Sequence, residues 1–462
     1  MALTSEQLRE DLEFMFQTIL EVHPKPDWRT PMADIEQEML YARAEADSCV
    51  SVEQFWDIGT RFLHTFADGH TLLKMPGDES TRRVPVLTKL VDGQVVVEHV
   101  DTDGIEWAGE RLEPGDAVLA VDGEEAGRRL NWWIRRQAFN TDTLDRVIAA
   151  RFCLTFVGDT RTETELVVAR TSGATGRLIV PVLPENHPAI RRADRDHKRR
   201  WAVGLVERTL FDDLRAGVLR YPACCDRTSI RSFIGENGLD ELGLRTEDVP
   251  DFEEECWSLF DDIRSRGYTR LLIDLRGNTG GNPQIADSLF KYLMTGPLSH
   301  YCNGTKVSRL LVEQLTPHLA AEKLGTIRPA PRRWHMHFPY RSTLDADRLA
   351  AIQQFEGDIV VLTDGLTSSA GEWFAAILRA NRIGTFIGEP TGEGGAVPGS
   401  PATVSLPNTS LTLHVSCMLH HMPEGIDDSF PGVLPDYYVR QTLDDFRAGR
   451  DTVMEFVKKM WA

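Results

Sequence analysis

The sequence predicts an α/β protein in several parts: an N-terminal helical region, an inserted β-rich domain and a C-terminal α/β core. Three observations carry this. Residues 1–81 place most of their apolar side chains at helical spacing. Residues 82–183 break into short β-branched runs punctuated by Pro-Gly and Asp-Gly. From residue 202 onward, apolar runs of strand length alternate with amphipathic stripes of helical length, the pattern of strands covered by helices. A chain of 462 residues is also too long for one ordinary core, since domains hold roughly 100–200 residues each.

In chain order, residues 5–22 put Leu8, Leu12, Phe16, Ile19 and Leu20 on one helical face, and Thr4 and Gln7 are spaced as a capping box ahead of it. Two more helices are expected over 33–48 and 52–66, and the region ends in the loop Ala67-Asp-Gly-His70. Val84 and Val86 flank Pro85, which suits a strand start or an edge strand. Val95, Val96, Val97 and Val100 mark the next strand, and Leu112 to Glu124 another, opened by Pro114-Gly-Asp116 and closed by Asp122-Gly123. A helix through Leu130, Trp133 and Ile134 follows, then strands near 152–157 and 164–169. The charge run from Arg191 to Arg200 makes 184–201 a solvated linker. In the core, 202–462, Phe252, Cys256, Trp257, Phe260 and Ile263 stripe a helix, 270–275 is a buried strand, and Ala286, Leu289, Phe290 and Leu293 stripe the next helix. Strands at 358–363 and 385–388 enclose a helix at 372–380, and 402–406 pairs with 411–417 around Pro407-Asn-Thr-Ser410.

Charge excludes some functions. Lys and Arg total 51 and Asp and Glu total 70, so the formal net charge is 51 − 70 = −19. That disfavours nucleic acid or an anionic membrane surface as the main partner. No run approaches 18 apolar residues, so no membrane span is expected. Met1 to Phe16 carries acidic residues and lacks an apolar stretch, unlike a secretory signal. The seven cysteines are scattered without a C-x-x-C pair. Reduced thiols in a cytoplasmic protein follow.

Two segments can carry chemistry. In Val361-Leu-Thr-Asp-Gly-Leu-Thr-Ser-Ser-Ala-Gly-Glu-Trp-Phe374, a buried strand meets a helix through small residues. A serine there lies beside unpaired backbone N–H groups and the positive end of the helix dipole, which also suit an oxyanion. Ser369 and Glu372 have capping-box spacing too, so Ser369 is either a nucleophile or a helix cap. Asp274-Leu-Arg-Gly-Asn-Thr-Gly-Gly281 again follows a buried strand. Its paired glycines let backbone N–H groups approach a ligand, or simply make a turn. It is not a P-loop, since no G-K-[ST] follows.

Together, the two segments resemble the signature of the tail-specific peptidases. That clan includes the carboxyl-terminal processing proteases, the tricorn core and the repeats of the interphotoreceptor retinoid-binding protein. Its members carry D-L-R-x-N-x-G-G after one strand and S-[AS]-S-A-x-E at a later helix start, matched here by Asp274–Gly281 and Thr367–Glu372. The resemblance extends through Arg382, Gly388-Glu-Pro-Thr391 and Gly432-Val-Leu-Pro-Asp436. It also reaches Pro114-Gly-Asp116, which looks like a PDZ-domain turn. It implies a crotonase-like α/β core over 202–462, an N-terminal helical region over 1–81 and a PDZ-like β domain over 82–183. Ser369 is the implied nucleophile, and the backbone N–H groups of Ala370 and of Gly280 or Gly281 are the implied oxyanion donors.

Processing proteases of this kind pair their serine with a lysine 25 residues later, in T-F-G-K-G; Gly394 stands there instead, in Thr391-Gly-Glu-Gly-Gly395. Tricorn-like members use a histidine ahead of the PDZ-like domain, and Asp68-Gly-His-Thr71 resembles their D-x-H-[TS]. His70 is therefore the expected base, an imidazole near neutral pH being suited to a serine hydroxyl. His64, in a helical pattern, is expected to pack. A triad also needs an acid. The tricorn-like glutamate has no match at its spacing, which leaves Asp428 as first choice and Asp427 as second. His335 and His337 lack an evident third metal ligand, His420-His421 could border a cleft, and Cys224-Cys225 read as buried thiols.

The expected activity is peptide-bond hydrolysis through an acyl-enzyme, without cofactor or metal, on peptide or unfolded-protein substrates. The sequence does not fix the oligomeric state. Two alternatives stay open. One is a hydrolase or acyl-transfer enzyme for small esters or pathway intermediates on the same fold. The other is a non-catalytic module for apolar ligands, as in the retinoid-binding repeats.

Overall fold

A computed structural model of the chain describes residues 3–77, 80–107, 109–294, 298–306, 308–310, 344–423, 426, 429 and 431–462. It is a mixed α/β protein in two compact units, neither continuous in sequence. The first comprises Met1–Ile190, Cys302–Met336 and Ala396–His421, the second Arg191–Tyr301, His337–Gly395 and Met422–Ala462.

The first unit opens with helices Ser5–Val22, Met32–Ala46 and Val52–His64. Thr4 and Gln7 form the expected capping box, and Leu8, Leu12, Met15 and Ile19 are fully buried on the face that the spacing implied. An antiparallel sheet runs in the order Val86–Val91, Gln94–Val100, Ala117–Val121, Glu163–Ala169, Thr175–Pro181, with Glu124–Glu125 paired to Ala117–Val121. Burial alternates along Glu163–Ala169, one face packed and one wet. A second sheet sets the position of His70. Leu72–Leu73, directly after it, pairs antiparallel with Thr412–His421, which also pairs with Val397–Ser405 and Cys302–Thr305. The turn of this hairpin is held by buried Asp11, whose carboxylate accepts the N–H groups of Asn408 at 2.8 Å and Thr409 at 2.7 Å. The hairpin thus belongs to the first unit, although it lies within 202–462.

The second unit is built on a six-stranded sheet ordered Glu207–Phe211, Ala216–Arg220, Arg270–Asp274, Asp358–Thr363, Thr385–Gly388, Tyr437–Tyr438. The first pair is antiparallel and the rest are parallel. Its central strands are buried on both faces, as parallel strands must be. Leu271, Ile273, Val361 and Phe386 share one core with helices Phe252–Arg266 and Ala370–Ala380. Leu272, Val360, Leu362 and Ile387 face another, against Val453, Val457 and Trp461 of the terminal helix.

Some local expectations change. Residues expected as a linker form a helix, Pro188–Val203. Ala189, Ile190 and Ala202 are its buried minority, and the charge run is its solvated face. A helix at Asp142–Arg151 and a strand at Thr175–Pro181 were not expected. No helix among the described residues is long and apolar enough to cross a membrane.

Candidate active site

In the second unit, both motif segments leave the carboxyl ends of adjacent parallel strands, Arg270–Asp274 and Asp358–Thr363, where open α/β sheets gather ligands. Ser369 immediately precedes helix Ala370–Ala380, with φ 52° and ψ −125°. A non-glycine residue in that region costs of order 1–3 kcal/mol and persists only where its surroundings impose it. Its hydroxyl makes no capping bond to the helix, so the cap that its spacing to Glu372 allowed is not formed.

The surroundings that impose this turn are polar and buried. Asn278 binds the two motifs together. Its carbonyl accepts the Ser368 N–H at 2.9 Å, its side-chain oxygen accepts the Gly280 N–H at 2.9 Å, and its amide donates to Tyr221 O at 2.8 Å. Asp364, half-buried at the turn, accepts N–H groups from Gly277 at 2.9 Å and Leu366 at 3.0 Å. Burial raises its pKa against those bonds. Arg276 is paired with both Asp274 and Asp451, which ties the first motif to the N-cap of helix Thr452–Trp461.

Gly280 makes the closest approach. At φ +93°, it is placed so that a Cβ would stand 2.6 Å from Ser369 Cβ, 2.8 Å from Ala370 N and 2.9 Å from Ser369 Oγ. Only glycine lets the two backbones meet there. Of the three expected oxyanion donors, Ala370 is the first residue of its helix, and neither its N–H nor that of Gly281 is hydrogen-bonded among the described residues. The Gly280 N–H is already given to Asn278. Of the two glycines, Gly281 is thus the one whose N–H is not engaged among the described residues, and Gly280 is the one that makes the close approach.

Two buried carboxyls adjoin the serine. Glu393, 2% exposed, accepts the Ser369 N–H through Oε2. Glu372 is fully buried, and among the described residues no donor meets either of its oxygens in good hydrogen-bond geometry. Burial first, and then the charge of Glu393, push its pKa well above the carboxylate range, against the pull of the Thr391 hydroxyl. Sequence reasoning missed Glu393 and Asn278. Asn278 is the N of the D-L-R-x-N-x-G-G string, whereas Glu393 stands out only as a neighbour of Gly394.

In the first unit, His70 follows buried Asp68, whose carboxylate accepts the His70 N–H at 3.0 Å and lies 3.9 Å from His70 Nδ1. His23 Nε2 lies 3.1 Å from the other oxygen, both side chains being buried. Burial opposes charge on Asp68. The His23 bond and charge, the charge of His70 and a Thr71 bond outweigh it and hold the carboxyl well below its usual range. Gly69 is wedged beneath Phe139. His420 is 3% exposed, and its Nδ1 sits 2.5 Å from Asn303 Oδ1. Burial, with the charges of His70 and His421, pushes it down to about 3, so it is neutral at working pH. His64 binds Gln137 O, in line with a packing role.

Asp427, Asp428, His335 and His337 lie outside the described residues. Cys224 and Cys225 are buried thiols pushed up to about 12, chiefly by burial, and do not compete as nucleophiles. A cavity of about 520 Å³ lined by Trp257, Phe260, Tyr292 and Phe355 also touches Thr269 and Asp358. That is the amino end of the strands, away from both motifs.

Residues 244–439 match the model of peptidase family S41. No curated protein matches the chain. Among solved structures, mature CPAF complexed with lactacystin is 16% identical with a TM-score of 0.70, over 99% of this chain and 98% of that one. Mature CPAF alone is 17% identical with a TM-score of 0.69, over 99% and 96%. At such identity the likeness is one of fold, and it runs the length of both chains.

Proposed function

We propose that this chain, which carries a peptidase family S41 domain over residues 244–439, cleaves peptide bonds with Ser369 as nucleophile and His70 as base. The domain makes it a serine-type peptidase acting on peptides or proteins. The observation that carries the assignment of Ser369 is the seating of Gly280 against Ser369 Oγ and Ala370 N, beside two N–H groups, of Ala370 and Gly281, that are not hydrogen-bonded among the described residues.

His70 takes the Ser369 proton, and the oxygen attacks the carbonyl carbon. The N–H groups of Ala370 and Gly281 hold the resulting oxyanion, for which donors fixed in advance are worth several kcal/mol. Collapse expels the amine with the proton from His70 and leaves an acyl-enzyme, which water then hydrolyses. Asp68, ionised beside His70, steadies the imidazolium, and Asp428 remains the proposed orienting acid. No cofactor enters. The mostly parallel sheet with helices on both faces supports a crotonase-like core, and the antiparallel sheet with its Pro114-Gly-Asp116 turn supports a PDZ-like domain. Six free, buried cysteines among the described residues suit a cytoplasmic location.

The test is hydrolysis of a peptide library presented as free C-termini and as matching amides. Cleavage is expected, faster for free C-termini if the PDZ-like domain reads a carboxylate. Ser369→Ala and His70→Ala should each lower kcat by roughly 10⁴-fold. Turnover of aryl esters without any peptide cleavage would replace this reading with the small-ester hydrolase.

A further inference from the structure

Glu393 is an acidic residue in a glycine-rich turn, the kind of position that ordinarily faces water. Here it is 2% exposed and its carboxyl accepts the N–H of the serine read above as the nucleophile. We propose that Glu393 is a positioning residue for catalysis: its carboxyl holds the Ser369 N–H and thereby fixes the positive-φ backbone from which the hydroxyl is presented. This rests on Ser369 being the nucleophile.

The need for such a residue follows from the turn itself. At φ 52°, ψ −125°, Ser369 lies outside helix Ala370–Ala380, and its N–H goes to the Glu393 carboxyl. Leaving such an N–H unpaired away from water is costly, and a carboxylate acceptor makes a stronger bond than a neutral one. The acceptor is clamped from two sides. Gly392 N–H donates to Thr367 O at 2.7 Å, which ties the turn back to the serine motif. Thr391 O and Glu393 O both sit against Gly432; a Cβ there would stand 2.8 Å from each. Val433 N–H donates to Thr391 Oγ1 at 2.6 Å. The G-V-L-P-D segment, remote in sequence, thus presses Glu393 onto Ser369. Glu372 is close enough to feel the charge of Glu393 and is itself fully buried. In its neutral form it adds no second negative charge near the place where the oxyanion develops.

Glutamine at position 393 keeps an acceptor oxygen, whereas alanine removes it. The experiment compares wild type, Glu393→Gln and Glu393→Ala in peptide hydrolysis and in the rate of fluorophosphonate labelling, with folding checked by circular dichroism. Glu393→Ala should lower kcat and the labelling rate together by roughly 10- to 100-fold, with KM within about twofold, since the substrate does not meet this carboxyl. Glu393→Gln should stay within about threefold of wild type. Should Glu393→Ala not fold, Glu393→Met keeps the volume without the acceptor and takes its place. A folded variant lacking the acceptor that labels as fast as wild type overturns the proposal, as does a Glu393→Gln as slow as Glu393→Ala. Wild-type labelling at a residue other than Ser369 would instead remove the nucleophile assignment, and this inference with it.

Discussion

At the scale of the residue, the site depends on groups whose environments oppose their ordinary chemistry. Ser369 adopts a backbone that favours glycine, and Glu372 is a carboxyl with no part of it exposed. The sign of its contribution to stability follows. Its folded pKa is raised, mainly by burial, so above the ordinary carboxylate pKa of about 4.3 the unfolded chain releases a proton that the folded chain keeps. Stability then falls as pH rises from that point toward the folded pKa. Glu372→Gln removes the titration, so its stability relative to wild type should grow between pH 5 and pH 8, read as urea midpoints at each pH. Parallel midpoints would show that Glu372 ionises normally. At this scale, the sequence revealed motif residues far better than their supports. Ser369, Gly280 and Gly281 stand in recognisable strings. Glu393 is a lone acid among glycines, and its burial comes from Gly432, 39 residues further on.

At the scale of the element, strong periodicity and caps were legible and weak ones were not. Ser5–Val22 has a full apolar face and a capping box, and Asp358–Thr363 and Thr385–Gly388 are uninterrupted apolar runs. Asp142–Arg151 buries Leu144, Ala149 and Ala150 as its apolar residues, too sparse a stripe to stand out. Pro188–Val203 hides a few buried residues in a charge run, and composition alone describes its wet face. One element supports the site from outside it. Asp451 caps helix Thr452–Trp461 by accepting the N–H groups of Val453 at 3.1 Å and Met454 at 3.0 Å, and also binds Arg276 of the first motif. Asp451→Ala should therefore cost about 1–2 kcal/mol in urea unfolding, with Arg276 left to Asp274 alone. A loss below about 0.5 kcal/mol would mean that the cap and the ion pair are both replaced by solvent.

At the scale of the whole molecule, contiguity in sequence misleads. The hairpin Val397–Ser405 and Thr412–His421 follows the serine motif in the chain. It nevertheless completes the sheet of the first unit by pairing with Leu72–Leu73, next to His70. The hairpin itself was readable from its alternation and its Pro-Asn-Thr-Ser turn. Its partner was not, because two residues of strand carry no periodic signal. Residues 244–439 match the model of peptidase family S41, and the likeness of fold to mature CPAF spans 99% of the chain. The central claim is that one serine of this molecule, held against Gly280 at a helix start, attacks the carbonyl. Ser368 beside it is buried, with its N–H given to Asn278, and serves as the internal control. The most direct measurement is mass mapping of a fluorophosphonate adduct on wild type, Ser368→Ala and Ser369→Ala, each confirmed as folded. A single adduct at Ser369 in wild type, retained in Ser368→Ala and absent from Ser369→Ala, is the predicted result; an adduct that persists in Ser369→Ala would contradict it.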